Sequence, residues 1–226
     1  VSSPEVSPDG QWVAYTVRGN NLEEDKSNTR IWMVSTSGGD PIPMTGIDYS
    51  ASNPKWSPDN KYLSFQASKG EDAKIQVWNL NRMGGEAVQV TNVEQGISGY
   101  DWSPNGSRLL LMIKDQKPEL LDDDEENDDK PQPHVITRMQ FKQDYVGYLD
   151  NRRQHIYVYT PSEDDPAQVT FGEYDDSDPV WSPDGKSIAF VSDRSADPDL
   201  HWGTDIWTVN VDDDDHQLTR VTTNEG

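Results

Sequence analysis

The chain has 226 residues, of which 41 are Asp or Glu and 19 are Lys or Arg, so its formal net charge at pH 7 is −22. It has no cysteine, which excludes a disulfide scaffold, a Cys-ligated metal centre and a cysteine nucleophile. Nucleic acids and anionic membranes are bound by clustered Lys and Arg, so we expect neither as a partner. Membrane insertion is also not expected, because no stretch approaches the roughly 18 consecutive apolar residues of a membrane helix.

One tetrapeptide, Ser-Pro-Asp-Gly or a near copy of it, recurs along the chain. Its copies are Ser7–Gly10, Ser57–Asn60, Ser103–Gly106 and Ser182–Gly185. The last interval is nearly twice the earlier ones, which predicts a degenerate copy in between, and Phe141–Asp144 fits it. Pro presets φ, Asp bonds its own backbone two residues on, and Gly accepts positive φ, so the motif predicts a tight turn between strands.

Two further landmarks recur in the same order. The first is a β-branched residue followed by an aromatic one, at Ile31-Trp32, Val77-Trp78, Ile156-Tyr157 and Ile206-Trp207. The second closes each unit with a threonine, at Pro43–Thr45, Gln89–Thr91, Gln168–Thr170 and Gln217–Thr219. Apolar residues alternate with period two at positions 186–191 and 205–209, which predicts strands with one apolar face. Helical periodicity is absent.

These repeats predict an all-β chain built from four-stranded antiparallel meanders. Such units must stack to bury their faces, and stacking around an axis gives a β-propeller of 4–8 blades. Five blades are predicted, at residues 1–47, 48–93, 94–134 with an acidic loop at 115–133, 135–172 and 173–226. We interpret them as an incomplete ring with apolar open ends, and therefore expect self-association.

The repeats resemble those of two related kinds of propeller. Residues Pro179–Arg194, followed by Asp205–Trp207 and Gln217–Thr219, resemble the TolB-type propeller repeat. A second set of segments resembles the propeller of the prolyl oligopeptidase family, in its acylaminoacyl peptidase-like branch. These segments are Val135–Phe141, Gly147–Asp150, His155-Ile156 and Tyr174–Pro179. The likeness covers nearly the whole chain.

The resemblance implies an N-terminal propeller that gates peptide entry to a C-terminal α/β-hydrolase domain carrying a Ser, Asp and His triad. The implied partners are that domain of the same protein and peptide substrates, and the parent protein would be a serine peptidase. The nearest approaches to the Gly-x-Ser-x-Gly elbow, Gly96–Tyr100 and Gly185–Ala189, lack the closing glycine. No catalytic residue is therefore assigned to this chain. The alternative is a TolB-like propeller that acts as a protein-binding scaffold.

No metal or other cofactor is predicted. The four histidines lack the spacing of zinc sites. Two acidic runs, Asp122–Asp129 and Asp212–Asp215, lack the Asp-x-Asp-x-Asp-Gly order of a calcium loop, and we interpret them as solvated loops. A metal-binding, adhesin-like propeller is a third hypothesis that rests on these runs alone.

Two long connections, Arg18–Arg30 and Ser192–Asp205, occupy equivalent places in their repeats. They are predicted on the propeller face opposite the Ser-Pro-Asp-Gly turns, and loops on rigid scaffolds often bind ligands or neighbouring domains. The candidate interface residues are Arg194, Asp197, Asp199 and Trp202. Because the sequence starts with Val1, we expect a processed or truncated start. The compartment is left open, with the periplasm or secretion favoured and the cytoplasm as the alternative.

Overall fold

The computed structural model describes residues 1–21, 26–70, 73–116, 136, 139, 141–144, 147–196, 198, 200 and 203–223. These residues form strands and no helix, and hence no helix that could cross a membrane. The first sheet contains β1 (Ser2–Val6), β2 (Trp12–Asn21), β3 (Lys26–Ser35) and β4 (Ile42–Pro43); the second contains β5 (Ala51–Trp56), β6 (Tyr62–Ala67), β7 (Gln76–Asn81) and β8 (Val88–Gln89). The third contains β9 (Gly99–Trp102), β10 (Leu109–Lys114), β13 (Gln154–Tyr159) and β14 (Ala167–Gln168); the fourth contains β15 (Asp176–Trp181), β16 (Ser187–Ser192), β17 (Asp205–Asn210) and β18 (Leu218–Arg220). A separate hairpin pairs β11 (Lys142–Gln143) with β12 (Gly147–Tyr148).

Each four-stranded sheet is an antiparallel meander, and successive sheets pack face to face. The first strands lie next to one another, β1 beside β5 and β5 beside β9, which places them innermost. We call the face that contacts the next sheet along the chain the forward face, and the opposite one the rear face. Three apolar clusters fill the three junctions, the first of them between Ala14, Ile31 and Met33 of the first sheet and Leu63 and Phe65 of the second. The predicted β-propeller architecture, with an open ring, is confirmed.

The Ser-Pro-Asp-Gly turns have the predicted mechanism. In the last turn the Ser182 carbonyl accepts from the Gly185 amide at 2.9 Å, and Gly185 has φ +69°. The Asp184 carboxylate accepts from the Ser182 hydroxyl at 2.6 Å and from the Lys186 amide at 3.1 Å. The other three copies repeat this geometry, which joins the first two strands of each sheet.

The predicted division of residues 94–172 into two blades needs correction. Strand β13 pairs with β10 over six residues, from Leu109↔Tyr159 to Lys114↔Gln154, so segments assigned to separate blades form one sheet. Among the described residues there are therefore four four-stranded sheets. Phe141–Asp144, predicted as a repeat turn, instead leads into the β11–β12 hairpin, where Phe141 stacks on Tyr148 with ring centroids 6.4 Å apart. The long interval between turns is an insertion between β10 and β13.

The closing threonine was misplaced in the last repeat. In the first three sheets the Thr45, Thr91 and Thr170 hydroxyls accept from the amides of Ile31, Val77 and Ile156, at 2.9–3.0 Å. In the fourth sheet the Ile206 amide donates to Thr222 at 2.9 Å, so Thr222 and not Thr219 is the equivalent residue. The acidic turn Asp212–Asp215 lengthens this hairpin and shifts the threonine along the sequence.

Candidate functional site

A cavity of about 480 Å³ lies where the inner strands converge toward the propeller axis. Inner strands of the second, third and fourth sheets line it, with one wall from β10 and β13. Its lining is mixed: an apolar wall is formed by Tyr100, Leu110, Met112, Pro179 and Val180, and polar side chains are contributed by Asn53, Lys55, Ser98, Asp101, Gln154, Ser177 and Asp178. We take this axial cavity as the candidate functional site.

A repeated backbone distortion shapes the cavity wall. In β5 the pairing register shifts between Ser52 and Lys55, and Asn53, which precedes a proline, has φ +49°. The fourth sheet repeats this in β15, where Asp178 precedes Pro179 with φ +47°. A left-handed residue before proline is costly and persists only where surrounding structure holds it, and bulges of this kind redirect a side chain. The repeated Ser-x-Pro triplet was the sequence signal for it, and it was missed.

Charged residues occupy the next-to-last position of three inner strands. Lys55 and Asp101 hold this position in β5 and β9, and their side chains are 3.8 Å apart. Glu5 holds it in β1; burial raises the pKa of Glu5, as does Asp101, while Lys55 opposes the shift. In β15 the same position is Val180, which is exposed. This position near the axis is therefore charged in the first three sheets and apolar in the fourth.

The described residues of the axial cavity bring together no nucleophile and base. Tyr100 donates its hydroxyl to the Asn53 carbonyl at 3.0 Å, and burial raises its pKa well above the usual value. Ser98 donates to the Met112 carbonyl at 3.1 Å, so its hydroxyl is engaged with the backbone rather than with a base. In the described part of the chain, no group of three or more His, Cys, Asp or Glu side chains is placed to hold a metal ion.

A cation is enclosed by three aromatic rings at equivalent places in two sheets. In the second sheet, Lys69 lies 4.3 Å from the Tyr49 ring, 5.9 Å from Phe65 and 4.0 Å from Trp78. The fourth sheet repeats the arrangement with Arg194 over Tyr174, Phe190 and Trp207, at 5.1–5.9 Å. We call each cation with its three rings a cation box. Each cation box borders a smaller cavity of about 240–250 Å³ on the face opposite the Ser-Pro-Asp-Gly turns.

The fourth sheet adds an ion pair to its box. Arg194 donates to the Asp176 carboxylate at 2.7 Å and to the Phe171 carbonyl at 3.1 Å. Burial acts to raise the pKa of Asp176, but contacts with His155, Thr170 and Arg194 outweigh it, and the net pKa is below the usual value. Asp176 is fully buried, so the guanidinium neutralises a carboxylate inside the junction of the third and fourth sheets.

His155 extends this cluster toward the insertion that follows β10. Its imidazole lies between two carboxylates, with Nδ1 3.5 Å from Asp176 and Nε2 3.6 Å from Asp115. Arg153 lies beside it and binds Asp175 at 3.1 Å. The cluster is therefore part of the packing between sheets. None of its members except Arg194 was identified from the sequence, since its residues come from four separate segments.

Of the four predicted interface residues, the structure describes one. Arg194 is nearly buried in the ion pair described above, and its contact with a partner stays a prediction. Asp197, Asp199 and Trp202 lie outside the described residues. The predicted connection Ser192–Asp205 does leave the fourth sheet at the end opposite the Ser-Pro-Asp-Gly turns, as the pairing Ser192↔Asp205 shows. The predicted connection Arg18–Arg30 needs correction: it consists mostly of the paired ends of β2 and β3, which extend the first sheet at that end as far as Asn21↔Lys26.

The second acidic run and His216 make ordinary contacts within and between the described sheets. Asp212 of the run Asp212–Asp215 pairs with Arg108 at 2.8 Å, across the junction of the third and fourth sheets. His216 lies in the same turn, with Nδ1 3.3 Å from the Asn210 carbonyl. Of the acidic loop 115–133, the structure describes only 115 and 116; Asp122–Asp129, His134 and His201 lie outside the described residues.

Comparisons with known proteins agree with the fold. No protein-family model matches the chain. An uncharacterized peptidase of Bacillus subtilis, YuxL, is 28% identical over 210 residues, covering 92% of this chain and 32% of that protein. Acylaminoacyl peptidase of Pyrococcus horikoshii superposes with a TM-score of 0.73 at 20% identity, over 98% of this chain and 32% of the other. TolB of Acinetobacter baumannii gives 0.63 at 17%, over 99% of this chain and 43% of the other.

The chain is thus similar to the propeller regions of acylaminoacyl peptidase and of TolB, as its repeats predicted. It spans about a third of the length of the peptidases it matches.

Proposed function

We propose that this chain is the non-catalytic propeller of a prolyl oligopeptidase-like serine peptidase, and that it gates peptide access to a C-terminal α/β-hydrolase domain outside these 226 residues. The observation that carries the proposal is the axial cavity. It has about 480 Å³ of space, is lined by polar side chains beside an apolar wall, and among the described residues that line it no nucleophile is paired with a base. The similarity to acylaminoacyl peptidase and to an uncharacterized peptidase supports a peptide as what passes through it.

The physical role follows from the rigidity of the sheets. Inner strands fixed by sheet pairing and interlocked cores keep the cavity at a constant width, so a folded protein is too large to enter and an extended peptide is not. Excluding bulk water and large substrates strengthens electrostatic interactions at the catalytic groups and protects folded proteins from cleavage. The propeller contributes selection, and the chemistry belongs to the other domain.

The proposal is tested on the natural full-length protein in two steps. A fluorophosphonate probe, which reacts with activated serines, labels the polypeptide that contains Val1–Gly226 if the parent is a serine peptidase. Val180→Trp then narrows the axial cavity from an exposed position on its wall. We expect kcat/KM for peptide hydrolysis to fall about tenfold or more, while the labelling rate of the small probe is unchanged.

The matched control is Val88→Trp, because Val88 is also exposed but lies on the outer strand β8. Equal activity of both variants would overturn gating through the axial cavity. Absence of labelling, together with a stable complex with another protein, would instead support the second candidate, a TolB-like binding scaffold. That candidate is favoured by the fold similarity to TolB.

A further inference from the structure

The two cation boxes differ in whether the cation has an anionic partner. In the fourth sheet, Arg194 pairs with the buried Asp176 carboxylate at 2.7 Å. The strand pairings place Ala51 at the position of Asp176 in the second sheet, so no carboxylate is supplied there. Among the described residues, Lys69 has neither an ion-pair partner nor a hydrogen-bond acceptor, and its ammonium is held by the three rings alone.

The cavity beside this cation box offers unused hydrogen-bond donors. It measures about 240 Å³, and its described lining falls within residues 69–94, in the interior of the chain. Lys69 and Lys74 both line it, together with Asn92 and the Trp78 ring. In the described part of the chain, neither ammonium group nor the Asn92 amide has a hydrogen-bond partner. Because an ammonium group carries donors and no acceptor, the cavity is suited to an anion.

The charges around this cavity do not cancel. Glu94 is the single carboxylate of its described lining, and it already accepts a hydrogen bond from the Gln116 amide at 3.3 Å. The Gln76 amide is tied to the backbone, because it donates to the Val93 carbonyl at 2.6 Å. Two cations therefore face one carboxylate, which gives a local excess of positive charge in a chain whose net charge is −22.

From these contacts we propose that the cavity beside Lys69 binds an organic carboxylate, which gives Lys69 the anionic partner that Asp176 gives Arg194. The rings keep water from part of the Lys69 ammonium, so an anion is attracted more strongly there than at a fully hydrated lysine. Charge-assisted hydrogen bonds from Lys69 and Lys74 add to this attraction. A singly charged carboxylate is favoured over phosphate, because the acidic chain repels a doubly charged anion more. The site is independent of the proposed function.

The test follows Trp78 in the natural full-length protein, labelled with 5-fluorotryptophan and titrated at constant ionic strength. The fluorine resonance of Trp78 is assigned by its loss in Trp78→Phe. N-acetylalanine, whose one charge is its carboxylate, should shift this resonance saturably, whereas N-acetylalaninamide, which lacks that charge, should not. Acetate then separates two sources of the carboxylate: equal affinity for acetate points to a free small acid, and weaker binding of acetate points to the C-terminus of a peptide.

Two lysine variants show whether the cation box holds the carboxylate. Lys69→Met should weaken binding of N-acetylalanine at least about tenfold. Lys61→Met is the matched control and should leave the affinity unchanged, since Lys61 is an exposed lysine outside the cavity, paired with Asp59 at 2.9 Å. The proposal is overturned if N-acetylalanine causes no shift, if the amide or inorganic phosphate binds as tightly as N-acetylalanine, or if the two lysine variants bind it equally. Circular dichroism spectra identical to that of the unaltered protein confirm that both variants are folded.

Discussion

The indole of Trp102 donates its N–H to the Ser64 hydroxyl at 2.9 Å, across the junction between the third and second sheets. Ser64 in turn donates to the Asn79 side chain at 2.7 Å, so one hydroxyl satisfies two polar groups. Trp181 occupies the corresponding place in the fourth sheet, where Leu110 replaces the serine. Its indole N–H is buried and has no acceptor among the described residues. At this position, the junction of the second and third sheets is therefore stabilised by a hydrogen bond, and the junction of the third and fourth sheets is not.

We expect Ser64→Ala to destabilise the chain by about 1–3 kcal/mol, because it leaves the half-buried Trp102 N–H and Asn79 oxygen without their partner. Urea unfolding followed by tryptophan fluorescence measures the change. Ser37→Ala is the matched control, since Ser37 bonds Ser35 in an exposed turn and its loss should stay within about 0.5 kcal/mol. Equal stabilities of the two variants would show that this bond contributes little.

The two cation boxes differ in what removal of the cation exposes. Lys69→Met removes only the interaction with three rings, and we expect a loss of about 1 kcal/mol. Arg194→Met also leaves Asp176 buried without its counter-charge, for which the expected loss is about 3–5 kcal/mol. Chemical unfolding of both variants gives the difference directly.

A double variant tests this explanation. Asp176 stands where the second sheet has Ala51, as the pairings Asp176↔Ser192 and Ala51↔Ala67 show. Asp176→Ala combined with Arg194→Lys therefore reproduces the box of the second sheet. We expect it to be clearly more stable than Arg194→Met. If the double variant is no better, the ring contacts of Arg194 and not the orphaned carboxylate determine the loss.

Short sequence motifs predicted those parts of the fold that depend on contacts between residues close together in the sequence. The Ser-Pro-Asp-Gly turns and the aromatic position of the third strand were identified because each is determined by a few neighbouring residues. The threonine of the last repeat was misplaced because the Gln217–Thr219 triplet matches the motif, whereas strand pairing selects Thr222. The blade count failed for a related reason, since the pairing of β10 with β13 joins segments separated by a long insertion.

The candidate site was less predictable than the fold. Its cavity forms where strands from three sheets converge, and no single segment shows that convergence. Arg194, a candidate interface residue in the sequence analysis, is the partner of a buried carboxylate 18 residues earlier, and nothing in the spacing of Arg194 and Asp176 indicates that they meet. Only the Ser-x-Pro triplets offered a readable signal for the cavity wall.

Stability should fall as the solution is acidified below about pH 4. Hydrogen bonds from serine hydroxyls, the largest cause, hold the pKa values of Asp9, Asp59 and Asp184 below their usual range, although burial opposes this at all three. A carboxylate with a lowered folded-state pKa stabilises the fold above its unfolded-state pKa, and this contribution is lost as pH falls through the folded-state value. Glu5 acts in the opposite sense, because its raised pKa makes it stabilising only at low pH.

Thermal unfolding between pH 7 and pH 3 measures this dependence. Asp184→Asn should make the midpoint temperature fall less steeply on acidification, since one of the contributing carboxylates is gone. Asp164→Asn, in the exposed turn after β13, is the control and should leave the slope unchanged. A slope that is the same for Asp184→Asn and the unaltered chain would mean that the turn carboxylates are not responsible.

Gly96 lies in the connection between β8 and β9, where the chain turns back onto the second sheet. Its φ is +78°, and a Cβ added there would lie 3.0 Å from the Lys74 Cβ and 3.2 Å from the Ile75 backbone. Gly10 has a similar φ of +68°, with nothing within 4 Å of such a Cβ. Gly10→Ala should therefore cost about 1–2 kcal/mol for the left-handed backbone alone, and Gly96→Ala about 1–3 kcal/mol more for the clash. Urea midpoints of the two variants measure the difference; equal midpoints would show that the Lys74–Ile75 segment moves aside without cost.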